Sequence, residues 1–160
     1  MYDRRILFQA LLGLGCLLAG AAAGRELHSY AIVQDDGSLL ISQTQVHLYG
    51  IYIPPTSRYC RTQIRPVRCA SRAVLALDFK LQGFVSCEPR TVNSDGSLNA
   101  VCFVGRTQFD PGEDLGAYLI ERGWALALPD APFEYHALER IARHNSRGVW
   151  GFTVDEGSRR

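Results

Sequence analysis

Hydrophobic and polar positions alternate most clearly from Val46 to Pro55. Val46, Leu48 and Gly50 fall on one side of an extended chain there, and His47, Tyr49 and Ile51 on the other. Gly50 packs no side chain into such a strand and predicts a bulge or a close backbone approach. Pro54 and Pro55 end the strand, because neither can donate to a ladder. Upstream, Ser29 to Val33 and Leu39 to Ile41 read as two short strands joined by the turn Gln34-Asp35-Asp36-Gly37-Ser38. A polar turn at Ser42 to Thr44 then leads into the third strand.

Beyond the prolines, Thr56 to Arg68 shows no period and predicts an irregular loop. From Cys69 to Gln82 the period becomes helical, with Ala70, Ala73, Val74, Leu77 and Leu81 on one face and Gly83 as the stop. Phe84 to Glu88 and Leu98 to Val104 are strand-like runs around the turn Asn93-Ser94-Asp95-Gly96. After the turn Asp110-Pro111-Gly112, Leu115 to Arg122 predicts a helix with Glu113 and Asp114 at its positive end and Gly123 as its cap. Trp124 to Leu128 is a brief apolar segment. Pro132 to Asn145 predicts a third helix that buries Tyr135, Leu138, Ile141 and Ala142, and Val149-Trp150 packs back on the core. No internal repeats appear. Three strands, a helix, a hairpin and two helices describe an α+β fold, a five-stranded OB-type β-barrel with about three helices.

The start of the chain follows a different rule. Arg4 and Arg5 precede an apolar run from Ile6 to Ala23 that ends in small residues, the layout of a secretory signal cleaved after Ala21-Ala22-Ala23. The run approaches spanning length, so an uncleaved membrane anchor is the other reading. The expected organisation is a signal or anchor at 1–23, one barrel domain at 24–152 and a polar tail at 153–160, in an exported protein. Once the signal is removed, no stable membrane span is expected.

The full chain has 160 residues, 47% of them hydrophobic, enough for one real core. Removing the signal takes Arg4, Arg5 and Asp3 with it and brings the 17 basic and 16 acidic residues into balance. A domain that lives by gripping phosphates usually carries a basic excess, and this one does not. Cys60, Cys69, Cys87 and Cys102 remain, and in an exported chain four cysteines imply two disulfides with three possible connectivities. There is no C-x-x-C pair of the kind that holds zinc. The midpoint of Cys87 and Cys102 falls at the centre of the Asn93–Gly96 turn, so a symmetric hairpin sets them directly opposite each other. That leaves Cys60 with Cys69.

Three segments together resemble the secreted thermonuclease family, the staphylococcal-nuclease-like OB-folds. Asp35-Asp36-Gly37-Ser38-Leu39 stands where that family has D-G-D-T-L, and Val46 to Pro55 stands where it has V-R-L-x-G-I-D-x-P-E. Asp114-Leu115, Leu119-Ile120, Gly123, Ala125, Tyr135, Glu139, Ala142-Arg143, Gly148 and Trp150 follow its C-terminal pattern. The four cysteines are similar to those of a bacterial branch of the family. The resemblance implies an OB-fold that cleaves phosphodiester bonds, with calcium on two aspartates, a glutamate that activates water and two arginines on the developing phosphoryl charge. Hard oxygen ligands suit calcium, and guanidinium forks match phosphate oxygens.

Carried over residue by residue, the chemistry is missing. Gly37 stands at the first metal-ligand aspartate, or Ser38 if the register shifts by one. Tyr52 stands at the second, His47 at the first arginine, Pro55 at the glutamate and Ser97 at the second arginine. With all five positions changed, no hydrolysis of the family's kind is expected, and no cofactor. Calcium enters only under the alternative of a phosphodiesterase whose site has been rearranged.

Asp35 and Asp36 read as turn formers. His47 fits a structural strand histidine or, when protonated, an anion contact. Tyr49, Tyr52 and Tyr59 fit core packing or an aromatic lining of the former nucleotide pocket. Arg58, Arg61, Arg65 and Arg68, with Arg72 beyond them, fit either a solvated loop or a grip on an anionic ligand. Ser97 has no histidine or carboxylate patterned to activate it. The expectation is a binding module for an anionic polymer, a nucleotide or a protein partner, with Arg58, Arg61, Arg65, Arg68, Tyr49 and Tyr52 as its contact residues.

Overall fold

The computed structural model describes residues 26–54, 59–62 and 65–151, the side chains of 59–62 and 65–71 excepted. The expected signal or anchor at 1–23, the polar tail at 153–160 and Pro55 lie outside the described residues.

Five strands close into a barrel: β1 (Leu27–Val33), β2 (Leu39–Ile41), β3 (Thr44–Leu48), β7 (Phe84–Val92) and β8 (Leu98–Val104). β1 pairs antiparallel with β2 and β7, β2 with β3, and β7 with β8. Closure comes from one parallel pairing, β3 with β8, in the register Val46↔Leu98, His47↔Asn99 and Leu48↔Ala100. With three α-helices, the architecture is an OB-like α+β fold, as the alternation and turn pattern predict. Among the described residues no helix is long and apolar enough to cross a membrane.

The alternation of β3 does what it predicts. Val46 and Leu48 are buried with Leu39, Ile41, Val85 and Ala100 in the barrel, while His47 lies on the outer face, half-buried. Cys87 and Cys102 are direct cross-strand partners inside this core, bonded to each other with Cα atoms 4.1 Å apart. Closing a loop of this length contributes roughly 3 kcal/mol, chiefly by restricting the unfolded chain. Cys60 and Cys69 have no described side chains, so their pairing lies outside the described residues.

The run from Val46 to Pro55 is two strands, not one. Gly50 takes φ +74 and turns the chain, so that β4 (Ile51–Tyr52) leaves the barrel and pairs with β10 (Leu126–Ala127). The close approach predicted at Gly50 is real. A Cβ there would lie 3.1 Å from Pro132 Cδ and 3.3 Å from the Ala131 backbone. Within Thr56 to Arg68 the described residues are likewise not irregular: β5 (Tyr59–Thr62) and β6 (Arg65–Arg68) form an antiparallel ribbon in the register Tyr59↔Arg68 to Thr62↔Arg65. Arginine at every third or fourth position hides the two-residue period, but Tyr, Thr and Val suit extended backbone.

The first helix, α1 (Cys69–Lys80), ends two residues early, and Gly83 does not take the left-handed conformation of a helix stop. Ala73 and Leu77 carry its buried face. α2 (Leu115–Glu121) follows the two-residue strand β9 (Glu113–Asp114) and begins on Asp114, whose Oδ1 accepts from the amides of Gly116 at 2.7 Å and Ala117 at 3.3 Å. It ends on Gly123, with φ +72 and amide bonds from Gly123 to Ile120 O and from Trp124 to Leu119 O. Asp114 Oδ2 accepts from the Tyr135 hydroxyl at 2.7 Å, which ties α2 to α3 (Phe133–His144). Burial and that carboxylate push the Tyr135 hydroxyl pKa far above its ordinary value, so it stays a donor. The predicted stripe of α3 needs one correction: Ile141 is 50% exposed and Glu139 takes its place in the interior, 8% exposed. Glu139 is tolerated because Arg143, one turn on, donates to its Oε1 at 3.1 Å.

Candidate functional site

Two turns of identical sequence, Asp-Gly-Ser-Leu, flank β3. One spans Asp36 to Leu39 at the start of β2, the other Asp95 to Leu98 at the start of β8. They fold alike. Gly37 and Gly96 both take φ +83. Ser38 donates its amide (2.9 Å) and hydroxyl (2.7 Å) to Asp36 Oδ1, and Ser97 makes the same two bonds, 2.9 and 2.7 Å, to Asp95 Oδ1. Backbone bonds close each loop, Gln34 N–H to Ser38 O and Asn93 N–H to Ser97 O, both 2.8 Å. An aspartate that accepts from the amide two residues on is the Asx turn, and glycine supplies the left-handed step. The repeat is only four residues long, which is why it does not register as an internal repeat, yet it is the signal that locates the site.

Barrel closure sets β3 between them. Leu39 and Leu98 are both register partners of Val46, and His47 follows on the outer face. The His47 charge acts on both aspartates. For Asp36, burial works to raise the pKa, but the two Ser38 donors and His47 outweigh it and hold the carboxyl below the ordinary 3.8. For Asp95 the Ser97 hydroxyl and amide lead, and the shift is again downward.

A small cleft of about 190 Å³ opens beside the first turn, lined by Asp36, Gly37, Ser38, His47, Tyr52 and Ile53 among others. Gly37, His47 and Tyr52, positions at which the resemblance would call for metal and phosphate contacts, therefore meet at one place. Tyr52 is 48% exposed and forms part of the rim. Tyr49 is half-buried and does not line the cleft; its amide donates to Ala100 O at 2.8 Å, which extends the β3–β8 pairing. Ser97 is buried outside the cleft. Its hydroxyl donates to Asp95 and accepts from Asn93 Nδ2 at 2.9 Å, and Asn99 in turn donates to Asn93 Oδ1 at 2.8 Å. A hydroxyl engaged twice in this way is a network member rather than a nucleophile. The side chains of Arg58, Arg61, Arg65 and Arg68 lie outside the described residues, while Arg72 packs over the Trp124 ring, 5.6 Å from its centroid.

Calcium does not fit these residues. Position 37 offers no carboxylate, and a Cβ there would lie 2.4 Å from Ile53 Cδ1. Tyr52 brings a phenol, and Asp36 Oδ1 is already taken by both donors of Ser38. Among the described residues no group of three or more His, Cys, Asp or Glu side chains is placed to hold a metal ion. Ile53 is the residue that sequence reasoning passes over, because nothing local marks it as the floor of the site.

A larger cleft of about 690 Å³ lies elsewhere, lined by His28, Lys80, Phe84 and Arg106 among others. Its cations are already matched: Lys80 pairs with Glu113, and Arg106 with Glu88 at 2.7 Å and Glu26 at 3.3 Å. It contains none of the positions at which the sequence places chemistry. Compared with models of protein families and with curated proteins, the chain matches none. The class that fold and cleft define is an OB-like barrel with a polar cleft beside its Asp-Gly-Ser turn.

Two measurements check the geometry. Gly37→Ala and Gly96→Ala both place an alanine at φ +83, at a cost of about 1–2 kcal/mol. Gly96 has open space around it, whereas Gly37→Ala also drives Ile53 off its rotamer, a further ~0.5–1.5 kcal/mol. Denaturant melts of the two single variants and of Gly37→Ala/Ile53→Val are expected to show that excess and its relief; equal costs at the two glycines contradict the packing. The second measurement follows the carboxyl shifts. A folded pKa held below the unfolded one stabilises the fold fully above about 3.8, and that contribution fades as pH falls through the folded value. Carboxyl-carbon NMR of Ser38→Ala and Ser97→Ala is expected to show the neighbouring aspartate titrating at higher pH than in the parent. An unmoved midpoint counts against the Asx-turn account.

Proposed function

We propose that this chain is an exported, staphylococcal-nuclease-like OB protein that has lost catalysis and acts by binding an anionic polymer. The observation that carries the reading is the cleft: Gly37, His47 and Tyr52, far apart in sequence, line one site on a barrel of the expected kind. They are also positions at which the resemblance calls for an aspartate, an arginine and a second aspartate. The scaffold of that site persists in β3, its turn at Gly50 and the Asx turn before β2. Its chemistry does not. Transition-state stabilisation of phosphoryl transfer needs preorganised positive charge. The cleft carries one imidazole at the place of a guanidinium, beside the Asp36 carboxylate.

Binding asks for less. On this reading the contacts to the anion come from Arg58, Arg61, Arg65 and Arg68, in the segment that follows the stretch bearing Tyr49 and Tyr52. Guanidinium groups hold phosphate, sulfate or carboxylate oxygens without any need to activate water. The exposed Tyr52 ring supplies a surface against which an aromatic or sugar face can lie.

The test is incubation of the purified protein with single-stranded DNA, double-stranded DNA and RNA, with and without calcium. The expected result is intact nucleic acid in every arm, together with salt-sensitive retention of the polymer. Calcium-dependent cleavage that disappears on Asp35→Ala/Asp36→Ala would overturn the reading in favour of a rearranged phosphodiesterase.

A further inference from the structure

The larger cleft, about 690 Å³, has the size of a small-ligand site and lies apart from the Asp36–Leu39 turn. One wall is built on the outer faces of β1 and β7, where His28 and Tyr30 pair in register with Ser86 and Phe84. The Phe84 ring centroid lies 4.3 Å from that of Tyr30, tilted by 33°, and 5.2 Å from that of His28, nearly parallel at 16°. Phe84 lines the cleft, and Tyr30 carries the aromatic surface outward from it. Tyr30 is 64% exposed although one side of its ring is against Phe84, so its other side meets solvent.

The polar groups are held in place before any ligand arrives, which lowers the entropy lost on binding. Ser86, only 4% exposed, shares a 2.7 Å hydrogen bond with His28 Nδ1 and so fixes an exposed imidazole. Arg106 is bonded to Glu88 at 2.7 Å and Glu26 at 3.3 Å and lies over the Phe103 ring, 4.2 Å from its centroid. Lys80 pairs with Glu113 and faces the Tyr118 ring. Gln82 Nε2 donates to Phe79 O at 3.2 Å, and Asp110 Oδ1 accepts from the Gly112 amide at 2.8 Å. Among the described residues, His28 Nε2, Gln82 Oε1 and Asp110 Oδ2 remain unengaged.

These pairings decide the charge of the ligand. Along the lining, Lys80 and Arg106 are balanced by Asp110 and Glu113, and Glu26 and Glu88 stand behind Arg106, so there is no cationic excess for an anion. Left over are donors and acceptors in fixed positions beside aromatic rings. A pyranose suits that combination, because its hydroxyls need donors and acceptors together and its C–H face packs on a ring. We propose that this cleft binds a neutral sugar unit of a glycan, with Phe84 and Tyr30 as the stacking surface and His28, Gln82 and Asp110 as the hydrogen-bonding groups. None of these residues belongs to the cleft beside Asp36, so sugar binding here and anion binding there stand or fall separately. The sequence hides the site because β1 and β7 meet only through barrel pairing, 58 positions apart at His28 and Ser86.

The experiment titrates isotope-labelled protein with cellotetraose, maltotetraose and tetra-N-acetylchitotetraose and follows the amide NMR signals of Gly83, Gly105 and Gly112, which line the cleft. At least one sugar is expected to shift these three signals saturably while those of Gly37 and Ser38 stay still. Phe84→Leu, which keeps an apolar side chain but removes the ring, is expected to weaken that sugar about three- to tenfold, and Phe84→Tyr to retain it. Unmoved amide signals of Val46 and Leu119, both fully buried, show that each variant keeps its fold. Signals that stay still with all three sugars up to about 10 mM overturn the proposal. Equal affinity of Phe84→Leu and the parent overturns the stacking surface. Saturable shifts of the three glycines with tetramethylammonium or phosphate, at lower concentration than with any sugar, overturn the assignment to a neutral ligand.

Discussion

Everything at the candidate site depends on the parallel pairing of β3 with β8. Val46 sits in one row with Leu39 on one side and Leu98 on the other, and all three side chains point toward the core. That row closes the barrel. It also seats an Asx turn on each flank of β3, because both partner strands begin immediately after one. His47 follows Val46 and so must emerge on the outer face between the two turns, where its charge reaches both aspartates. The hydrophobic row and the polar cleft are therefore one construction, and moving β3 by a residue would invert both.

Within that construction, backbone geometry and charge play separate parts. The features that need backbone geometry are intact: left-handed glycines at 37, 50 and 96, the capped α2, and the Tyr135–Asp114 tie between helices. The positions at which the resemblance would call for charge hold Gly37, His47, Tyr52 and Ser97. Ile53 fills the space under Gly37, and Ser97 is bonded into a network with Asp95 and Asn93. In the sequence the arginines cluster from Arg58 to Arg68.

Much of the fold is legible in the sequence because its signals are local. Alternation marks β3, Asp-Gly pairs mark the hairpin turns, and the midpoint of Cys87 and Cys102 marks the register of the β7–β8 hairpin. The misreadings are places where a distant partner decides. Glu139 is buried because Arg143 and the interior receive it, and Ile141 is displaced to solvent, which no hydrophobicity pattern on α3 alone reveals. The run after Gly50 is a separate strand because its partner, β10, is distant in sequence, and the β5–β6 ribbon is disguised by its arginines. The site was legible only as a set of positions. Their meeting at one cleft, and the role of Ile53 as its floor, follow from barrel closure and lie beyond any local signal.

The central claim is that the cleft beside the Asp36–Leu39 turn takes up no calcium. Its most direct test is a calcium titration of the protein followed by amide NMR, reading the signals of Gly37, Ser38, His47 and Tyr52. The account predicts no saturable shift at these four amides up to millimolar calcium. A saturable, localised shift there, abolished by Asp36→Asn, would contradict it.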